Sequence, residues 1–180
     1  MTSDVSIRPA RADDFDAIAA ITNHYISSTA IHFGDTPETA DGMRALWRDG
    51  HARYPWFVAH DHDGAVIGYA KAAAYRTRAA YAWITEAGLY LAPDRRGGGV
   101  GTALYVALLA ELRARGFRSV IGGIALPNPR SVALHERLGF APVGVVKGAG
   151  WKFGAWHDVG FWQLALTDDS GPPGAPPGAA

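Results

Sequence analysis

The stretch Tyr90-Leu-Ala-Pro93-Asp-Arg-Arg-Gly97-Gly-Gly-Val-Gly101-Thr102 decides how the rest of the chain is read. Upstream, Trp83 to Leu91 has the composition of a strand, and Pro93 ends its pairing because proline brings no N–H to a ladder. Downstream, Leu104, Leu108 and Leu112 recur on one face of a helix. Arg113 and Arg115 lie in its last turn, and Gly116 is a natural C′ residue. Glycines between strand and helix allow a tight turn, and the unpaired N–H groups of the helix start offer a site to an anion.

Working outward, strand and helix patterns alternate. Toward the N-terminus, Val5 to Arg8 is a short strand. From Asp13, the residues Phe15, Ile18, Ala19, Thr22, Tyr25 and Ile26 follow the helical period. Thr36-Pro37-Glu38-Thr39 is expected to start a second helix running to about Ala52. Trp56 to His60 and Ala65 to Ala74 read as strands joined by the Asp-Gly turn Asp61 to Gly64. Toward the C-terminus, Ser119 to Ile124 is a strand. Asn128 can cap a helix with Pro129 at N1, ending at Leu138 before Gly139. Val143 to Val146 and Gly160 to Leu166 complete the sheet. The order β-α-α-β-β-β-α-β-α-β-β is an α/β sandwich, expected as one domain over residues 1–167. Residues 168–180 contain GPPGAPPGAA, with no charge or large apolar side chain in that run, and are expected to form a flexible tail.

Composition excludes several classes. Seventeen basic and seventeen acidic residues give zero net charge, without the basic footprint of a nucleic-acid binder. The chain has no cysteine, which removes disulfides, thiolate nucleophiles and Cys-based zinc sites. The longest apolar run, Ala103 to Ala110, falls far short of the roughly 18 residues of a membrane span. The N-terminus lacks a basic patch and an apolar h-region, so a cytoplasmic location is expected.

Spacing narrows what the glycine loop can hold. A nucleotide P-loop needs Lys then Ser or Thr after its last glycine, whereas Gly101 is followed by Thr102 and Ala103. A dinucleotide fingerprint started at Gly97 or Gly99 fails at Thr102 or Leu104. Arg96-Gly97-Gly98-Gly99-Val100-Gly101 instead fits the Gln/Arg-x-x-Gly-x-Gly/Ala pyrophosphate loop of acyl-CoA enzymes. Asn128-Pro-Arg-Ser131-x-x-Leu134-His135-x-x-Leu138-Gly139-Phe140 resembles the second motif of the GNAT N-acetyltransferase superfamily. Arg53 to Ala59, Trp83 to Glu86, Leu138 to Gly144 and, most specifically, Gly154-Ala-Trp-His-Asp-Val-Gly-Phe-Trp-Gln-Leu164 resemble its phosphinothricin and methionine sulfoximine or sulfone acetyltransferase branch. The likeness spans roughly Val5 to Leu166. It implies a mixed sheet of about seven strands, splayed in the middle, with about four helices on both faces. It also implies acetyl-CoA as co-substrate, a small amino acid as acceptor and no metal. Leu89, Tyr90, Leu91, Arg96, Gly97, Gly98, Gly99, Val100, Gly101, Thr102, Asn128 and Ser131 would then contact the cofactor.

Amine acetylation needs an amine stripped of its proton and a proton for the departing thiolate. The resemblance places the base at Glu86, a mid-strand carboxylate whose proton affinity would rise if it faced a cleft; on an outward face it would merely be solvated. His135 stands where many members place a tyrosine acid, and it could act as acid or base or simply pack on the sheet. Tyr90 offers a hydroxyl. Arg76 and Arg78 offer guanidinium forks to a substrate carboxylate, Arg78 being the position matched by the relatives. Lys152 could reach a distal polar group. Trp151, Trp156 and His157 could wall the acceptor pocket. The cluster His60, Asp61, His62 and Asp63 spans a turn and reads as solvated rather than metal-binding, and His24, His32 and His51 show no interpretable spacing. Trp156, Phe161 and Trp162 crowd one late hairpin, which points to a homodimer because exposed aromatic patches mark interfaces. Two rivals remain: a related enzyme for another amine, which the basic segment Ala72 to Ala82 disfavours where the acceptor is strongly cationic, and an inactive acyl-CoA-binding module.

Overall fold

The apolar period that begins at Phe15 forms a helix because it has a sheet face to cover. In the computed structural model, which describes residues 5–95 and 97–178, the elements run β1 (Ser6–Pro9), α1 (Phe15–Ser28), α2 (Ala40–Gly50), β2 (Trp56–His60), β3 (Val66–Ala74), β4 (Ile84–Leu91), α3 (Val100–Ala114), β5 (Ser119–Leu126), α4 (Pro129–Arg137), β6 (Ala141–Lys152) and β7 (Ala155–Ala165). The strands make one sheet in the order β1-β2-β3-β4-β5-β7-β6. Pairing is antiparallel except between β4 and β5, which α3 joins by a crossover. Period-2 alternation divides the apolar residues between two cores. Phe15, Ile18 and Tyr25 of α1 and Met43 of α2 pack with Trp56, Val58 and Tyr69 on one face. Leu104, Leu108 and Leu112 of α3 pack with Ala59, Ala70, Val120 and Ile124 on the other.

The feature that positions the site is a divergence in mid-sheet. β4 stays paired with β3 as far as Leu91, and β5 stays paired with β7 as far as Leu126. Their pairing with each other stops at Ala87 and Gly122. The main chains of Gly88 to Leu91 and Gly123 to Leu126 therefore spread apart without ladder bonds between them. The expected splay is present.

Two expectations are corrected. Thr36-Pro37 does not start a helix: Thr39 is the N-cap of α2, its side chain accepting from the Gly42 N–H, and the preceding residues form a loop. The last two strands are much longer than 143–146 and 160–166, because the chain continues to a tight turn at Phe153-Gly154, both with positive φ. Beyond β7 the described residues contain no further helix or strand, although Pro177 is buried and Gly178 lies against Arg53. No helix among the described residues is long and apolar enough to cross a membrane.

Candidate active site

A cavity of about 560 Å³ opens where β4 and β5 diverge. Its sides are Gly88 to Leu91 on one strand and Gly123 to Ala125 on the other. Gly97, Gly99, Gly101 and Thr102 close one end, and Asn128, Ser131 and Leu134 of the α4 region another. Gly99 caps α3 with φ +79, a left-handed conformation that glycine adopts without steric cost, and a Cβ there would meet nothing within 4 Å. The first N–H groups of α3 lack intrahelical acceptors and point out of the helix with the positive end of its dipole. Asn128 does cap α4, its side-chain oxygen accepting from the Ser131 N–H at 3.2 Å. Leu89, Tyr90 and Leu91 also border the cavity, while Val100 is buried in the core under the loop. Arg96 lies outside the described residues.

A second cavity, about 250 Å³, meets the first at Ile31, Tyr90, Gly123 and Ala125. Glu86 lines it from β4, with His32 and Phe33 of the α1–α2 loop and Phe161 of β7 opposite. Period-2 alternation sends Thr85 and Ala87 into the sheet interior and leaves Glu86 and Tyr90 together on the α1 side. The Glu86 carboxylate has no hydrogen bond or ion pair among the described residues. Burial raises its pKa above the usual carboxylate range, and the charges of Arg76 and then Lys71 oppose that rise. Tyr90 makes no hydrogen bond through its hydroxyl among the described residues, and burial pushes its pKa up to about 12.

His135, for which the sequence left acid, base and packing on the sheet open, borders the larger cavity from the interior of the fold. It is buried on α4, with Nδ1 donating to the Ser131 carbonyl at 2.8 Å. That bond fixes the proton of the neutral ring on Nδ1, so Nε2 accepts from the Tyr105 hydroxyl, 3.0 Å away. Desolvation lowers its pKa, favouring the neutral form. The ring sits over Gly122, where an added Cβ would stand 2.5 Å from Nε2. His135 borders the larger cavity and not the one that holds Glu86.

Other expected residues separate from the site. Arg78 is exposed at the start of the single-turn helix Ala79–Tyr81 and lines neither cavity; the nearby arginine whose charge bears on Glu86 is Arg76. Trp156 is 66% exposed at the hairpin tip, edge-on to Trp151. His157 sits behind Phe33, ring centroids 6.3 Å apart, and its Nε2 donates to the Lys152 carbonyl. Lys152 is not a free donor for a ligand, because its ammonium is bound to three carbonyls. Asp61 corrects the picture of a solvated turn: it is buried, accepts from the Asp63 and Ala65 N–H groups and pairs with Arg95. Its carboxylate, grouped with His62 and Asp63, is thereby occupied with holding the turn.

Sequence reasoning missed His32, Phe33, Tyr105 and Lys71. His32 and Phe33 come from an irregular loop and carry no periodic signal. Lys71 could have been found by register: it faces side-chain-free Gly88 across β3–β4, one step along the same face from the Ala73–Glu86 pair. Its ammonium lies 4.9 Å from the Trp56 ring centroid.

The model of the acetyltransferase (GNAT) family matches residues 18–140. A phosphinothricin N-acetyltransferase of Streptomyces viridochromogenes is 43% identical over 163 residues, covering 88% of this chain and 86% of that protein. An L-methionine sulfoximine/L-methionine sulfone acetyltransferase of Pseudomonas paraeruginosa is 37% identical over 163 residues, covering 89% and 94%. The crystal structure of a GNAT superfamily phosphinothricin acetyltransferase from Sinorhizobium meliloti in complex with acetyl-CoA superposes with a TM-score of 0.91 at 37% identity, covering 97% of this chain and 95% of that one.

Proposed function

This chain belongs to the GNAT acetyltransferase family, and on that footing we propose that it transfers acetyl from acetyl-CoA to the α-amine of a small amino acid or analogue of the phosphinothricin, methionine sulfoximine or methionine sulfone type. The names of its relatives support that acceptor class. The larger cavity suits the cofactor: a helix start preceded by glycines, with Gly101 in its first turn, leaves room for a pyrophosphate, and the unladdered edges of β4 and β5 suit the amides of a pantetheine arm. When bound, acetyl-CoA supplies an activated thioester carbonyl.

The observation that carries the reading is Glu86, a carboxylate of raised proton affinity that has no ion-pair partner among the described residues and lies beside the junction of the two cavities. An amino acid enters largely as an ammonium, and Glu86 takes a proton so that the nitrogen lone pair is exposed. Tyr90 lines both cavities and keeps its proton at neutral pH, so it can give one to the leaving sulfur. We assign the substrate carboxylate to the cationic surroundings of Glu86, Arg76 first and Lys71 second, rather than to Arg78. His135 holds α4 against β5 and is a positioning residue. Glu86→Gln is expected to lower turnover about 100-fold or more, within the usual range for a general base, with acetyl-CoA affinity by calorimetry nearly kept. Unchanged turnover would remove Glu86 from the reaction.

A homodimer and a cytoplasmic location complete the proposal. Val143, Val145 and Val146 along the edge strand β6 are exposed together with Trp151, Phe153 and Trp156 at the tip, an apolar strip of the kind a second subunit covers. A cytoplasmic site of action suits an enzyme whose co-substrate is a cytoplasmic metabolite.

A further inference from the structure

Lys152 ends β6, and its ammonium reaches across to the segment that joins α1 to α2. Nζ donates to the carbonyls of Ile26 at 2.6 Å, His32 at 2.6 Å and Gly34 at 2.8 Å, which engages all three of its N–H groups. One acceptor belongs to the last turn of α1, and the other two bracket Phe33. The same hairpin holds the loop a second way. Phe33 lies over Gly150, where a Cβ would be 2.5 Å from the ring, and against His157. Burial alone anchors this loop weakly, since Ile31 and Phe33 remain 39% and 40% exposed. Yet Ile31, His32 and Phe33 form the wall of the smaller cavity that faces Glu86.

We infer that Lys152 is a positioning residue for the amine acceptor: by gathering three backbone carbonyls it holds the 29–34 loop as the outer wall of the Glu86 cavity. The inference rests on that cavity being the acceptor site. An ammonium suits the task because its three donors radiate from one point toward converging carbonyls. A guanidinium presents a planar fork and would satisfy the same oxygens only in part. A preformed wall spares the substrate the entropy of ordering the loop, so its loss should appear as weaker acceptor binding, with the cofactor cleft untouched.

The test combines steady-state kinetics with amide hydrogen exchange in the full chain. Lys152→Met, which keeps an apolar stem without donors, should raise the Michaelis constant for the amino acid on the order of 10-fold and leave that for acetyl-CoA unchanged. Exchange over residues 29–34 should quicken, and Lys152→Arg should fall between wild type and the methionine variant. Gly150→Ala, which pushes Phe33 aside without altering charge, should raise the amino-acid constant too. The losses should be equal for acceptors with and without a distal anionic group. A loss confined to distally anionic acceptors would make Lys152 a substrate ligand and overturn the inference, as would an unchanged amino-acid constant. Exchange over 29–34 in wild type as fast as in an unstructured peptide would overturn it even if no variant folds. A wild type that acetylates no amino acid refutes the functional reading instead, and loop exchange then decides the positioning role by itself.

Discussion

At the scale of single residues, the proposed chemistry turns on how one carboxylate is kept. Burial raises the pKa of Glu86, while Arg76 and Lys71 hold it down. The base form is therefore present only above a pKa lifted from the ordinary value of about 4.3. As pH falls through that raised value the carboxylate takes a proton and kcat/KM should fall with it. Lys71→Met removes one of the two opposing cations, so Glu86 should hold its proton to higher pH and the acidic limb should move upward. A pH–rate profile checks this, with Lys71→Arg expected to leave the limb nearly in place. An unmoved limb in the methionine variant would show that Lys71 does not tune the base. His135 illustrates the opposite use of burial. Desolvation keeps the ring neutral, the bonds to Ser131 and Tyr105 occupy both nitrogens, and the side chain serves the packing of α4.

At the scale of elements, the proposed site depends on two strands parting and one helix beginning. Gly101 lies in the first turn of α3, and a Cβ there would stand 3.4 Å from Leu134 and 3.7 Å from Leu89. Gly101→Asp should therefore fold with modest adjustment yet set a negative charge at the proposed pyrophosphate site. Calorimetry should show acetyl-CoA affinity lost by 100-fold or more; unchanged affinity in the folded variant would contradict the cofactor placement. This strand–loop–helix unit was legible in the sequence because glycine, proline and a leucine period each have a local physical meaning. Asn128 as a cap was legible for the same reason. The long β6–β7 hairpin was not: most of β6 is exposed, so it carries no alternation of buried and exposed side chains to mark its length. His32 and Phe33 were illegible because their loop is bonded to Lys152, 120 positions beyond His32. The Tyr105 hydroxyl that occupies His135 comes from 30 residues upstream, where the leucine period shows only a core aromatic.

At the scale of the whole molecule, the sheet divides the labour between its faces. α3 and α4 frame the larger cavity, the proposed cofactor side, while α1, its following loop and the β6–β7 hairpin frame the smaller one, the proposed acceptor side. Trp162 is buried and donates to Glu136, whereas Trp156, on the same side of β7 by parity, projects past the core. The exposed strip it shares with β6 should be covered in a dimer, so light scattering at micromolar concentration should return twice the 19.1 kDa chain mass; a monomer that remains active would refute the dimer. The account as a whole is tested most directly by thiol release from acetyl-CoA, with mass spectrometry of the product, across phosphinothricin, methionine sulfoximine, methionine sulfone, common amino acids, polyamines and aminoglycosides. The account predicts acetylation of the α-amine of the small amino-acid analogues, with kcat/KM for those acceptors far above that for any polyamine or aminoglycoside. Preference for a polyamine or an aminoglycoside, or no thiol release with any amino acid, would contradict it.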